Sequence, residues 1–157
     1  MFIYTVRASS VRYFGVIALC LLLLVGIMVF SSAENSYLPA AADGIKLSGI
    51  KTNEQRVAFI SQFGLKVKES PVESAEFSVP ENFDRVINGY NEIQKAQGLD
   101  ISRYKNKNVT RYTYEVTNYE GYDGTVYVNL IMYRNTIIAC DVSTLEVDGF
   151  VKPLIVF

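Results

Sequence analysis

The sequence predicts an α+β domain of order α-β-β-α-β-β-β, two helices packed on a mainly antiparallel sheet, preceded by one transmembrane helix. Three observations carry that prediction. An uncharged run extends from Tyr13 to Ala33, with Arg7 and Arg12 ahead of it and no acidic residue upstream. Two amphipathic stretches with helix start and stop signals follow, at Thr52–Gly64 and Pro80–Gly98. Then Val109 to Val142 is rich in Tyr, Thr, Val and Ile at period two, the spacing of half-buried strands.

The seventeen residues from Phe14 to Phe30 are about the minimum for a helix across a hydrocarbon core of about 30 Å. Cationic flanks stay on the cytoplasmic side, so the expected topology is N-in, C-out. Residues 1–12 then form a cytoplasmic N-terminus, 13–33 a signal-anchor helix, 34–51 a linker and 52–157 an extracytoplasmic domain. The alternative is a secreted protein cleaved after Ala33, because Ser31-Ser32-Ala33 offers small residues at a cleavage position. Cys20 follows Leu19 rather than a small residue, which argues against lipid attachment there.

The linker contains Pro39, Gly44 and Gly49 and has no sustained period. Thr52-Asn53-Glu54-Gln55 is a capping box, in which the Thr52 hydroxyl accepts from the Gln55 amide and the Gln55 side chain reaches back. Val57, Phe59, Ile60 and Phe63 then cluster at helical spacing, and Gly64 is placed to end the helix in a left-handed conformation. Leu65 and Val67 alternate with lysines, and Ala75, Phe77 and Val79 alternate with polar residues, so two short strands are predicted around Ser70-Pro71. In the second helix Phe83, Val86, Ile87, Tyr90 and Ile93 form the apolar stripe, with Asn88, Asn91 and Lys95 on the wet side. Three strands follow, at about Val109–Asn118, Thr125–Tyr133 and Thr136–Val142. Arg134-Asn135 is a two-residue hairpin connection in which Asn135 tolerates positive φ. Val126, Val128, Leu130 and Met132 share one face of the middle strand, matched by Ile138, Cys140 and Val142 on its partner, and both helices are expected to cover that face.

Composition excludes more than it indicates. The chain has no histidine, which removes Ser-His-Asp and Cys-His catalysis and every histidine-containing zinc site. With 15 basic and 16 acidic residues, and both arginines of the N-terminus ahead of the run, the exported part is net acidic, which speaks against nucleic acid as a partner. Cys20 lies in the membrane run, so Cys140 has no disulfide partner in the exported chain; in phase with Ile138 and Val142, it reads as a buried small hydrophobe. No motif calls for a cofactor, and no catalytic, cofactor-binding or metal-binding residue is assigned.

The segments TNEQRVAFISQFG, VPENFDRVINGYNEIQKAQGLD, KNVTRYTYEVTNYEGYDGTVYVNLIMYRN and DVSTLEVDGF, in that order, resemble a Firmicutes family classed as a domain of unknown function. The similarity spans about Thr52 to Phe150. It implies small single-pass membrane proteins with this one domain. No activity or site residue comes with it.

Tyrosine is the outlying residue type. Tyr112 and Tyr114 share a face of their strand, as do Tyr127 and Tyr133, the latter pair opposite the aliphatic face. These tyrosines form an aromatic platform for a glycan or peptide, or they serve as ordinary strand residues that stabilise the sheet by cross-strand pairing. If the second face is uncovered, it is the candidate binding surface. Arg103, Lys105 and Lys107, with Arg111, concentrate positive charge beside turn-forming asparagines. They suit anionic headgroups or a wall polymer, or simply a solvated loop. Glu120, Asp123, Asp141, Glu146 and Asp148 do not have the spacing of a calcium loop.

These observations lead to the expectation of a membrane-anchored extracytoplasmic domain that binds an envelope protein or cell-wall partner without catalysis. The alternative from another class is a histidine-free enzyme using carboxylates or a Ser-Lys pair.

Overall fold

A computed structural model of the chain describes residues 44–146 and 148–155. The predicted transmembrane helix at 13–33 and the cleavage point after Ala33 lie outside them. Among the described residues, no helix is long and apolar enough to cross a membrane.

Helix α1 (Asn53–Ser61) starts with the capping box read from the sequence: Gln55 N donates to Thr52 Oγ1 at 3.3 Å and Thr52 N donates to Gln55 Oε1 at 3.1 Å. Just past its end Gly64 adopts φ +77°, a conformation open to glycine at little cost. Strand β1 (Glu73–Ser78) and helix α2 (Arg85–Lys95), capped by the Asp84 carboxylate on Ile87 N, come next. After a 3₁₀ turn at Ile101–Tyr104 the chain runs through β2 (Asn108–Glu115), β3 (Val126–Tyr133), β4 (Thr136–Thr144) and β5 (Val151–Pro153). The strands form one antiparallel sheet in the order β1-β2-β3-β4-β5.

This mostly β architecture, of order α-β-α-β-β-β-β, corrects the predicted α-β-β-α-β-β-β. The segment at Leu65–Lys68 runs beside the end of β2, but only as a single bridge between Val67 and Val116. Lys68 N bonds Glu115 O at 3.0 Å, and the pairing resumes when Val72 N bonds Thr113 O at 2.8 Å. Pro71 falls between them and has no N–H to give, so the edge bulges instead of continuing as a strand. At the other end β5 was not predicted. It is three residues long and ends on Pro153, and its strand character comes only from docking on β4.

A second correction concerns the helices, which cover opposite faces of the sheet. Phe59 and Ile60 of α1 pack with Tyr114, Val128, Leu130, Met132, Cys140 and Val142. Ile87 and Tyr90 of α2 pack against Val109, Ile131, Ile138 and Ala139. Ile138 therefore does not share a face with Cys140. The register jumps from Ile131–Ala139 to Met132–Ile137, so Ile138 is an extra residue, a bulge that turns the first part of β4 over. In the hairpin it is Arg134, not Asn135, that carries positive φ, at 55°.

Residues of the expected linker also join the fold. Leu47 and Ile50 are buried in the α1-side core, and Leu47 O accepts from Ile137 N at 2.9 Å. Further along the same edge, two buried glutamines, one in the last turn of α2 and one just past its end, replace a neighbouring strand. Cys140 N donates to Gln94 Oε1 at 3.0 Å and Gln97 Nε2 donates to Cys140 O at 2.9 Å. Gln97 Oε1 then accepts from Ile155 N at 2.9 Å, tying the C-terminal segment to the same point.

Candidate functional site

The second face of the sheet is only half covered by α2, and its open part carries a row of polar side chains. Cross-strand register aligns Glu73, Thr113, Asn129 and Asp141 on one rung through β1 to β4. Thr113 Oγ1 donates to Asn129 Oδ1 at 2.8 Å, and Asn129 Nδ2 donates to Asp141 Oδ1 at 2.8 Å and to Ser143 Oγ at 2.9 Å. From α2, the Tyr90 hydroxyl donates to Asp141 Oδ2 at 2.8 Å.

Asp141 is 3% exposed, and burial pushes its carboxyl above the ordinary range despite the bonds from Asn129, Tyr90 and Ser143. Tyr90 lies well above the usual phenol value, first because it is buried and then because Asp141 stands beside it. Arg111, one pleat along β2, donates from Nη2 to Glu73 Oε2 at 2.9 Å, while its buried Nε has no hydrogen-bond partner.

Tyr90, Arg111, Asn129, Asp141 and Ser143 form the floor of a groove of about 450 Å³. Its walls are Ile87 and Val86 of α2, Phe77 and Val79 at the end of β1, Ile131 of β3 and Val151 of β5. A smaller hollow of about 320 Å³ adjoins it, sharing Arg111, Asn129 and Ser143 and extending to Val72, Tyr127 and Leu145. The larger groove is within the range of small-molecule sites, about 300–1,000 Å³ with mostly apolar walls and a few convergent polar groups.

As a catalytic centre the arrangement is poor. Its two carboxylates are both already engaged, Glu73 by Arg111 and Asp141 by Asn129 and Tyr90, and their backbones stand three strands apart, about 14 Å at ordinary strand spacing. No lysine lines either hollow to activate Ser143. Of the scattered acidic residues, Asp141 is bound into the floor and Glu146 accepts from the Tyr122 hydroxyl at 2.6 Å. Among the described residues no three Asp, Glu, Cys or His side chains form a metal cluster. Burial raises the Cys140 thiol far above the ordinary range, so it carries no thiolate chemistry.

The residues singled out from the sequence are dispersed. Tyr112 and Tyr114 lie on the α1 face. Tyr114 is fully buried, accepting from Arg56 Nε at 2.8 Å and donating to Asn53 Oδ1 at 2.9 Å, and Tyr112 lies 3.9 Å from the Arg56 guanidinium. Tyr127 borders the open hollow. Tyr133, about 20 Å away along β3, packs on Tyr104 with ring centroids 5.6 Å apart. Near it lie the basic residues: Arg103 pairs with Asp100 at 3.6 Å, Lys105 sits 5.0 Å from the Phe83 ring, and Lys107 is exposed. Arg111 is separated from them, at the groove. Tyr90 is expected from the sequence only as part of the apolar stripe of the second helix, and Thr113, Asn129 and Ser143 carry no expectation there. The available signal was a set of polar residues in mid-strand, in phase with Tyr127 and Tyr133.

No curated protein and no solved structure matches this chain. A family model does, over residues 59–142, a stretch that takes in α1 from Phe59, α2, β1 to β3 and most of β4, including every polar group of the floor except Ser143. The chain belongs to the family described as Domain of unknown function (DUF4830).

Proposed function

We propose that the domain is a non-enzymatic binding module whose ligand sits in the groove between α2 and the polar rung. One observation carries this reading. The large hydrophobic side chains exposed among the described residues are Val72, Phe77, Val86, Leu145 and Val151, and all of them rim the groove or the hollow beside it. Val86 is 77% exposed and Leu145 83%, on a domain that otherwise buries its aliphatic residues well. Apolar residues scattered over a surface need no explanation, but a group gathered round one concave site marks binding.

The apolar run at residues 13–33 supports placing this module on the outer face of a membrane, N-in and C-out, where envelope molecules are its partners. Protease shaving of intact cells tests the location: the domain is expected to be cut, and protection against external protease rejects it. The groove is tested on the full chain in lipid nanodiscs with 1-anilinonaphthalene-8-sulfonate, an amphiphilic anion whose fluorescence rises in apolar surroundings. The wild type is expected to enhance its fluorescence above that of empty nanodiscs, and Val86→Asp with Val151→Asp to abolish that excess. Equal enhancement in wild type and variant rejects the groove as the site.

A further inference from the structure

The groove's charged groups differ in how far they are already satisfied. Asp141 is closed to a ligand: Oδ1 is taken by Asn129 and Oδ2 by Tyr90, and only 3% of the residue is exposed. Arg111 is open. It lines both the groove and the hollow, its Nε has no partner, and its one ion pair is with Glu73, whose side chain is 54% exposed. Exposed pairs of that kind hold their partners weakly. A buried guanidinium N–H without an acceptor is a standing cost that an incoming anion removes, and the side-on face of arginine suits a carboxylate with two parallel donors.

The walls around that cation are apolar, Phe77, Val79, Val86, Ile87, Ile131 and Val151, over a floor in which Tyr90, Asn129 and Asp141 are already bonded to one another. An inorganic anion would leave these walls in water, and a neutral lipid would offer Nε only an uncharged acceptor, about half as strong as a carboxylate. A cationic ligand in the groove would face Arg111, while the exposed carboxylate, Glu73, lies in the adjoining hollow and Asp141 is taken. The volume, about 450 Å³, is at the lower end for small-molecule sites and suits one chain rather than two.

We propose that the groove takes a single-chain monocarboxylate, its carboxylate received by Arg111 and its apolar tail lying between α2 and the end of β1. This rests on the groove being the binding site, and the test separates the two ideas. Octanoate, 1-octanol and octyltrimethylammonium are titrated into the full chain in lipid nanodiscs, with NMR reading the Arg111 side-chain Nε–Hε signal and the Ile87 and Val151 amides. These signals report the site itself rather than uptake into the lipid. Octanoate is expected to shift all three and to bind about 10- to 100-fold more tightly than 1-octanol, the range of a charge-assisted hydrogen-bonded pair. Arg111→Gln is expected to erase that preference while leaving 1-octanol binding unchanged. Arg111→Lys, which keeps the charge but not the fork, is expected to fall between, and it serves as the reading if the glutamine variant fails to fold. Octanol binding as tightly as octanoate, or an unchanged preference in the variants, overturns the carboxylate assignment and leaves the groove standing. If none of the three ligands moves Ile87 and Val151, the groove itself is rejected.

Discussion

Gln97 joins helix, sheet edge and C-terminal segment at one buried point, and replacing it by methionine tests what that junction is worth. Methionine is similar in volume and adaptable in shape, so packing is largely kept and the polar loss is isolated. Two buried backbone groups lose their partners, the Cys140 carbonyl and the Ile155 N–H, and the part-buried Ile93 carbonyl loses its bond from Gln97 Nε2. At about 1–3 kcal/mol for each buried group left unpaired, Gln97→Met should cost about 2–6 kcal/mol, a large share of the stability of an ordinary domain. The neighbouring Gln94 provides the control. Gln94→Met orphans only Cys140 N–H, and it also removes Gln94 Nε2, which is buried without a partner in the native protein. Loss and gain are of the same order, so the net change should stay within about 1.5 kcal/mol. Chemical unfolding of the full chain followed by circular dichroism measures both. If Gln94→Met costs as much as Gln97→Met, or if Gln97→Met costs less than about 1 kcal/mol, hydrogen-bond satisfaction is not what the glutamines provide.

Three further substitutions probe other parts of the fold. Tyr114→Phe deletes the hydroxyl shared by Arg56 and Asn53 and should cost about 1.5–3 kcal/mol in the same unfolding assay, as expected for a buried bond to a charged group. Thr52→Ala removes the N-cap of α1 and should cost about 1 kcal/mol, with Thr52→Ser restoring most of it. Asp141→Asn concerns pH. Because the folded carboxyl lies above its ordinary value of 3.8, the native state holds the proton more tightly than the unfolded chain. Its contribution is fully present below pH 3.8 and is lost as pH rises through the raised folded value. Unfolding midpoints measured across acidic pH should therefore fall with rising pH more steeply in the wild type than in Asp141→Asn, and identical profiles would contradict the raised carboxyl.

Local signals were read most faithfully where chain neighbours alone decide the outcome. The Thr52 capping box, the left-handed Gly64, and the alternation of Val126, Val128, Leu130 and Met132 all depend on contacts or phases within a few residues. What escaped was decided at long range. Hydrophobic periodicity put Val86 inward and Asn91 outward. In the structure Val86 is exposed at the groove rim, whereas Asn91 is 3% exposed, its side chain bonding Asp100 and Ile101 N. A buried amide with its hydrogen bonds met is as acceptable as an aliphatic residue, and periodicity cannot see the partner. The same holds for Gln97, whose amide bonds Cys140 O and Ile155 N. The bulge at Ile138 has no local marker, so a strict period-two reading of β4 placed Ile138 with Cys140. The site was half legible: an uncovered second face was a sound place to look, but aromatic content drew attention to Tyr112 and Tyr114, which the α1 core absorbs. The polar rung of Thr113, Asn129 and Asp141 becomes a site only when register aligns it.

The way the β4 edge is occupied also bears on self-association. Unpaired strand edges are templates on which further chains can add. Along β4, position 137 is bonded to Leu47, position 140 is held by two glutamine side chains, and 141–143 pair with β5. A strand from another molecule finds no free stretch there. Within the described residues, accretion is left to the short β5, which ends on Pro153, and to the outer side of β1, where Glu73 and Glu76 add charge. The sheet is thus guarded unequally, and neutralising the two glutamates is the change that would make this protein prone to stacking strand upon strand.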